Sequence, residues 1–266
     1  MIELYTHPMS PCAQKVRIVL SEKALPWEGR HVDLPGKENL EPWYLKLNKL
    51  GVVPTLVEDG RAVIESSIIC EYLEDRYPEP RLRPEEPHDV ATVRFWMKQV
   101  DNKLHPSCGA LQWPVVMRDK LLELPEEEQI AKINQVVEKP RRERQRRLLK
   151  LGLDAPDIAG AVATYHRFIV DMEAALADGD WVVGDRFSLA DCCLAPYFQT
   201  LHQFGWSEMY EDGHPRVTDW YARMRARPSY QEAVADDFPP ERLAELRVKG
   251  EEGLGKIREH LAAAGA

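Results

Sequence analysis

The pattern of apolar and polar positions changes character near residue 78. Before that point, short apolar runs of strand length alternate with stretches of helical period. Strands are predicted over residues 2–5, 28–32, 55–57 and 62–64, and helices over 11–23, 39–47 and 66–77. Asp59-Gly60, between the last two strands, is a typical hairpin turn. This order of elements predicts a small α/β sandwich.

Strand signals almost vanish beyond residues 78–87, a stretch that holds four prolines. Helices are predicted over residues 88–117, 125–136, 140–151, 156–177, 189–204, 215–225 and 230–235. Residues 240–266 are expected to form a charged amphipathic helix that frays over 262–266. The predicted organisation is an α/β domain at 1–78, a linker at 79–87, an all-α domain at 88–238 and a helical tail at 239–266.

Composition narrows the class of protein. A net charge of −9 argues against general nucleic-acid binding. No apolar run approaches the roughly 18 residues that a membrane span needs. Residues 1–5 lack the regions of a signal peptide, so a cytoplasmic protein is expected. The odd number of cysteines, five, does not suggest a disulfide framework, and no spacing of cysteines and histidines predicts a metal site.

Residues 140–147 form a locally basic run. We interpret it as a solvated helix face that pairs with acids such as those at 126–128. The second interpretation is a site for an acidic substrate or a nucleic acid.

Ser10 and Cys12 lie where the first strand turns directly into a helix. The unpaired N–H groups and the positive dipole end of a helix start favour an anion. A hydroxyl there can donate to a bound thiolate and so lower the pKa of a ligand thiol below its free value of about 8.5. No histidine base or nucleophile elbow points to a serine hydrolase. The structural alternatives are a plain cap for Ser10 and a small buried residue for Cys12.

Residues 51–56 place Pro54 at the first position of a strand, where proline donates nothing to the ladder. A cis Val53–Pro54 bond there makes a tight turn with the N–H and C=O of Val53 pointing outward. Such an edge can pair with the main chain of a bound peptide. An ordinary turn before a hairpin is the alternative.

Glu65 and Ser66 begin the next predicted helix, with Ser66 as its N-cap. The Ser66 hydroxyl and the first helical N–H groups can bind a carboxylate, and Glu65 can bind an ammonium. The pair therefore matches the head of an amino acid, which carries both charges. Simple capping is the alternative.

A thiol activator, a peptide-pairing edge and an amino-acid clamp together describe a site for glutathione. The chain resembles the glutathione transferase superfamily over about residues 1–235. The motifs are residues 10–17, 51–56 and 65–73, together with a capping box at 187–191 in which Asp191 reaches back to Ser188. The resemblance implies a thioredoxin-like N-terminal domain, an all-α C-terminal helical bundle, glutathione as cosubstrate and a homodimer.

The resemblance also implies roles for individual residues. Ser10 matches the serine that stabilises the glutathione thiolate in the serine-type classes. Val53, before a cis Pro54, matches the residue that pairs with the cysteinyl main chain. Glu65 and Ser66 match the residues that hold the γ-glutamyl end.

At the glycyl end many relatives carry a lysine, which this chain lacks at the matching positions. Asn39 is expected as a neutral replacement, or Lys37 reaches in. Ser10 stands where the thiol-transfer classes have a cysteine, which favours conjugation or thiolytic cleavage over disulfide reduction. Cys12 resembles the cysteine of the Ser-x-Cys pattern in zeta-type enzymes, so a glutathione-dependent thiol reductase acting through Cys12 is the alternative.

Residues 93–101 and the long insertion at about 125–157 look like those of the bacterial β-etherases, which cleave aryl ethers with glutathione. This likeness implies an extended loop through His105, Cys108 and Trp113, although periodicity alone predicts helix there. His105 and Trp113 are expected to line the substrate pocket, where an indole can stack on an aryl group. Core or interface packing is an equal interpretation for Trp113.

The sequence therefore predicts a transferase without a metal. It activates glutathione against a small hydrophobic, aromatic electrophile, in detoxification or the metabolism of aromatic compounds, and β-aryl ether cleavage is one form of this chemistry. A non-catalytic interaction module of the same fold is the alternative from a different class.

Overall fold

The computed structural model describes residues 1–265. Its strands are β1 Ile2–Thr6, β2 Trp27–His31, β3 Thr55–Glu58 and β4 Arg61–Ile64. They form one sheet in the order β2-β1-β3-β4, in which β1 is parallel to β2 and antiparallel to β3. The β3–β4 hairpin turns at Asp59 and Gly60, which both have positive φ. All four predicted strands are confirmed, with ends that differ by at most one residue.

The helices among the strands begin where the sequence offers caps. They are α1 Pro11–Glu22, α2 Pro42–Leu47 and α3 Ser66–Arg76. Ser10 caps α1, and Pro11 occupies its first position, where the missing N–H costs nothing. The helix predicted over 39–47 is split, because a separate 3₁₀ turn, Glu38–Leu40, precedes Pro42.

The remainder of the described chain is helical, as predicted. Its helices are α4 Pro87–Gln99, α5 His105–Val116, α6 Arg118–Leu122, α7 Glu126–Asn134, α8 Lys139–Leu151, α9 Pro156–Ala175, α10 Leu189–Gln203, α11 Glu208–Glu211, α12 Pro215–Ala226, α13 Pro228–Ala233 and α14 Pro240–Ala264. The sequence did not predict the short helices α6 and α11. The mixed four-stranded sheet and the helical remainder confirm the predicted fold class.

Three predictions about the helical part of the chain are wrong. The single helix expected over 88–117 is interrupted by a π-helical turn at Val100–Leu104. The extended loop implied for residues 105–113 is instead part of α5. The tail helix continues to Ala264, into the stretch expected to fray, because alanine has the highest helix propensity. Ala266 lies outside the described residues.

Contacts divide the chain into two compact units. The first comprises Met1–Val100, Ala175–Pro196 and Asp219–Pro239, and the second Asp101–Ala174, Tyr197–Thr218 and Pro240 onward. Within the first unit, α13 packs on α1, and Arg227 forms an ion pair with Glu22 at 2.7 Å. Each unit therefore combines several segments of the chain. The domain boundaries at 78, 88 and 238 rest on composition along the chain and stay a prediction.

The capping box predicted at the start of α10 is confirmed. Ser188 donates its N–H and its hydroxyl to Asp191, each at 3.0 Å. The fully buried Asp191 carboxylate also accepts from the Trp220 indole at 2.9 Å and the Val182 N–H at 3.2 Å. Burial raises the pKa of Asp191, against the effect of these donors. We find no helix among residues 1–265 with the length and apolarity that crossing a bilayer requires.

Candidate active site

The sheet register gathers three predicted site segments at one end of the sheet. Tyr5 of β1 is paired with Thr55 of β3, and Thr55 is paired with Ile64 of β4. The chain leaves β1 towards Ser10, enters β3 from Val53 and Pro54, and leaves β4 into Glu65 and Ser66. Because these neighbouring strands are antiparallel, the end of one strand lies beside the start of the next, and residues far apart in sequence meet at this end of the sheet.

Ser10 is the N-cap of α1, as expected for an anion site at a helix start. Its Oγ accepts the Ala13 N–H at 3.3 Å, and its own N–H donates to the His7 carbonyl at 3.1 Å. The half-buried hydroxyl keeps a proton that can be donated to a ligand. Gln14 holds the preceding loop, because its Nε2 donates to the Pro8 carbonyl at 2.8 Å.

Cys12 occupies the second position of α1 and is half-buried. The other cysteines of the described chain, Cys70, Cys108, Cys192 and Cys193, are buried. A hydrogen bond with Cys193 and burial both raise the pKa of Cys70, and burial raises that of Cys192. Cys12 is therefore the accessible thiol among residues 1–265, and it lies at a helix start where thiolates are favoured.

The Val53–Pro54 peptide bond is cis, as predicted. The N–H and C=O of Val53 form no hydrogen bond with any of residues 1–265. The turn before it is fixed by side chains of α2 and its C-cap. The Tyr44 hydroxyl donates to the Val52 carbonyl at 2.7 Å, and Asn48 Nδ2 donates to the same oxygen at 2.9 Å. The main-chain N–H and C=O of Val53 are thus available for pairing with an extended chain.

Gly51 is required at the start of this turn. Its φ is +60°, and a Cβ there would lie 2.7 Å from Leu40 Cδ2. Asn39 Nδ2 donates to the Gly51 carbonyl at 2.6 Å, so this amide supports the loop. The Asn39 Oδ1 is buried and has no hydrogen-bond partner among the described residues, so it can still accept from a ligand.

Glu65, and not Ser66, is the N-cap of α3, which corrects the predicted cap. Glu65 is exposed with φ +71°, a strained conformation for a residue other than glycine, and Ser66 is the first helical residue. The Ser66 hydroxyl is buried and lies 3.4 Å from the Nζ of Lys15, which is fully buried. A carboxylate at this helix start therefore meets N–H groups, a hydroxyl and a nearby cation.

Lys15, Gln14, Tyr44 and Asn48 support the site, and sequence reasoning missed them. All four are buried polar side chains that hold loops or helix starts in place. In the sequence they stand out only as polar residues among apolar neighbours. Such residues are common in helices and do not by themselves indicate a site.

His105 and Trp113 lie on α5, in the second unit. His105 is exposed, and its Nδ1 lies 3.3 Å from the hydroxyl of the buried Tyr197. Trp113 is half-buried. Cys108, by contrast, is buried, and its Sγ lies 3.4 Å from Thr200 Oγ1. Eight residues apart, His105 and Trp113 share the accessible face of α5.

Comparisons with protein families give two matches. The model of the glutathione S-transferase N-terminal domain matches residues 4–81, and that of the C-terminal domain matches residues 141–223. Protein LigF of Sphingobium sp. strain SYK-6 is 30% identical over 236 residues, which cover 87% of this chain and 92% of LigF. Maleylacetoacetate isomerase of Pseudomonas aeruginosa is 30% identical over 242 residues, covering 90% of this chain and 98% of that protein.

Solved structures show the same likeness. The crystal structure of the β-etherase LigF from the same strain has a TM-score of 0.79 at 29% identity and covers 87% of this chain and 98% of its own. A theta class glutathione S-transferase from Xanthomonas axonopodis pv. citri, solved with glutathione bound, has a TM-score of 0.64 at 27% identity. This match covers 88% of the present chain and 96% of the Xanthomonas chain.

Proposed function

Because this chain belongs to the glutathione S-transferase family, whose cosubstrate is glutathione, we propose that Ser10 holds the glutathione thiol as a thiolate. The observation that carries the proposal is the Ser10 hydroxyl at the N-cap of α1. Its oxygen accepts from Ala13, which leaves its proton for a sulfur anion, and the helix dipole adds to this stabilisation. The thiolate, and not the serine, is the nucleophile.

We propose that the remaining groups at this end of the sheet hold the peptide. The unpaired N–H and C=O of Val53, before Pro54, pair with the cysteinyl main chain. Glu65 binds the γ-glutamyl ammonium, and the Ser66 hydroxyl with the first N–H groups of α3 binds its carboxylate. At the glycyl end, the Asn39 Oδ1, which has no partner among residues 1–265, accepts from the glycyl amide N–H. Lys37, which precedes the 3₁₀ turn, is the alternative for the glycyl carboxylate.

The reaction is nucleophilic displacement on a small aromatic electrophile. The sulfur forms a C–S bond, the bond from the same carbon to the leaving group breaks, and the leaving group departs with the electron pair. For a β-aryl ether the leaving group is an aryloxide, which then takes a proton from water. Similarity to a β-etherase supports this form of the chemistry. Holding the two reactants together and stabilising the thiolate supply the rate.

We place His105 and Trp113 in the pocket for the electrophile, because they share an accessible face of α5. We further propose that the protein is a cytoplasmic homodimer. Its proposed domains are 1–78 and 88–238, joined by a linker at 79–87 and followed by a tail at 239–266. Ile68 and Phe95, both in the first unit, support the dimer, because these large apolar side chains are 59% and 58% exposed.

A thiol reductase is the second candidate, and the accessible Cys12 favours it. Here the Cys12 thiolate attacks a mixed disulfide and displaces one thiol, and glutathione then reduces the enzyme disulfide. A non-catalytic module is the third, since one relative, 26% identical over 249 residues, is FtsZ-localized protein A of Caulobacter vibrioides.

The test compares Ser10→Ala with Cys12→Ser in assays with an aryl halide, a β-aryl ether and a mixed disulfide. We expect Ser10→Ala to lower turnover of the aryl substrates roughly 10²-fold, as loss of a single anion-stabilising donor does. Glutathione affinity, measured by calorimetry, should stay nearly constant. Ser21→Ala, at the far end of α1, is the matched control because Ser21 binds only Glu232.

Unchanged turnover in Ser10→Ala would overturn the assignment of Ser10. Loss of disulfide reduction in Cys12→Ser, with Ser10→Ala tolerated, would select the reductase. Failure of the unmodified protein to bind glutathione would leave the non-catalytic module.

A further inference from the structure

Two arginines of the basic helix α8 form ion pairs with acids of the chain. Arg146 forms an ion pair with Glu143 at 2.7 Å, and Arg147 donates to both carboxylate oxygens of Asp157 at 2.8 and 2.6 Å. Arg142 donates to main-chain carbonyl oxygens. The acids are thus Glu143 and Asp157, where the sequence suggested those at 126–128.

Arg144, on the same helix, contacts α5. It is half-buried, and we find no acid within ion-pairing distance of it among residues 1–265. Its Nη2 lies 3.5 Å from the point where a Cβ of Gly109 would stand, and no other atom lies within 4 Å of that point. The guanidinium therefore reaches the accessible face of α5 at a position that has no side chain.

The surroundings of Arg144 compensate its charge only in part. Burial, followed by the neighbouring Arg141, lowers the pKa of Arg144, while Asp157 and Glu138 act in the opposite direction. Asp157 is already taken by Arg147 through both oxygens. A partly desolvated guanidinium without a counter-ion is unfavourable, and an anion supplied by a ligand relieves that cost.

Gly109 lies midway between His105 and Trp113 on α5, four residues from each. Positions four apart lie above one another on a helix. The guanidinium is thus placed on the helix face that also carries an exposed imidazole and a half-buried indole. A cation beside an aromatic surface matches a ligand with an acidic group on an aromatic ring.

We propose that Arg144, over Gly109, binds the carboxylate of the second substrate, so that the electrophile is an aromatic carboxylic acid. A guanidinium matches a carboxylate through two parallel hydrogen bonds, and Trp113 stacks on the ring. The proposal rests on the proposed function only in that the bound carboxylate is the second substrate of the transferase. The site itself is a binding site for an aromatic carboxylate in the second unit.

Calorimetry on the full-length protein tests this with phenoxyacetate and its uncharged analogue 2-phenoxyethanol. We expect phenoxyacetate to bind at least about tenfold more tightly, as is usual for hydrogen bonds to a charged group. Arg144→Met should abolish that preference, and Arg144→Lys should retain part of it. Arg146→Met, on the same helix and with its own acid, should leave it unchanged.

Gly109 gives an independent variant. Gly109→Leu fills the space beneath the guanidinium and should abolish the preference, whereas Gly109→Ala meets Arg144 at ordinary contact distance and should keep most of it. Glutathione affinity, which depends on residues of the first unit, reports whether each variant is folded.

Equal affinities for the two probes would overturn the proposal, as would a preference that survives Arg144→Met. Arg144-dependent binding of an oligonucleotide without binding of phenoxyacetate would also overturn it. If phenoxyacetate binds through Arg144 and glutathione does not bind, the site stands and the proposed transferase function fails. If glutathione binds and both probes bind equally, the proposed transferase function stands and the Arg144 site fails.

Discussion

The sheet end of the first unit and the α5 face of the second unit are built on different principles. Around Ser10 and Val53 the groups that we propose bind the ligand are helix-start and main-chain donors and acceptors, held in place by local caps and turns. On α5 the groups are side chains, and Arg144 reaches Gly109 from a different helix. A site made of main chain is carried by the fold itself. A site made of side chains belongs to the individual sequence, and we propose that it selects the electrophile.

Loss of Asp191 should have the largest effect of the changes considered, and it should act on stability alone. Asp191 is a buried acid that belongs to neither of the two sites. Asp191→Ala leaves the N–H groups of Val182 and Ser188 and the Trp220 indole without their acceptor. We expect the free energy of unfolding to fall by about 3–5 kcal/mol. Denaturant unfolding measures this, with exposed Asp178→Ala as the control.

The protein that remains folded should bind glutathione and phenoxyacetate with unchanged affinities. Altered affinity at either site would show that this site depends on the cap of α10.

Gly51 tests the sheet end alone. Gly51→Ala forces a side chain into a left-handed turn and against Leu40, so the loop that carries Val53 must move. We expect glutathione affinity to fall about tenfold and stability to fall by about 1–3 kcal/mol. Calorimetry and denaturant unfolding give the two values.

The matched control is Gly60→Ala, where φ is +76° but a Cβ meets no atom within 4 Å. It should cost stability and leave glutathione affinity intact. Equal losses of glutathione affinity in both variants would contradict a specific role of the Gly51 turn.

Trp113 tests the α5 face alone. Its substitution should affect the electrophile and leave glutathione binding unchanged, the reverse of what we expect for Gly51. Trp113→Leu removes the ring that we propose stacks on the electrophile, so KM for an aromatic substrate should rise about three- to tenfold. Glutathione affinity should not change. Steady-state kinetics at saturating glutathione measure the effect, and Trp181→Leu, another half-buried tryptophan, is the control. A changed glutathione affinity with unchanged KM would contradict the division of roles between the two regions.

The same difference explains what could be predicted from the sequence. Ser10, Val53, Pro54 and the Ser188–Asp191 box depend on signals within a few neighbouring residues: a cap, an X-Pro step and a capping pair. The pairing of Arg144 with Gly109 depends on how two helices 35 residues apart in sequence pack, and no local pattern encodes it. The π-helical turn at Val100–Leu104 was missed for a related reason, since helical period continues across it.

Substitution of His214 should have the smallest effect. It should change the pH dependence of stability in the second unit and leave the glutathione site of the first unit unaffected. Burial, followed by the charge effect of the nearby His166, lowers the pKa of His214 from its ordinary 6.5, against the attraction of Glu173. The unfolded chain therefore binds the proton more readily, and stability in the second unit should fall as the pH drops below about 6.5. His214→Asn should weaken this dependence in denaturant unfolding between pH 7.5 and 5.5. An unchanged slope would show that His214 does not contribute, and glutathione affinity at neutral pH should be the same in both proteins.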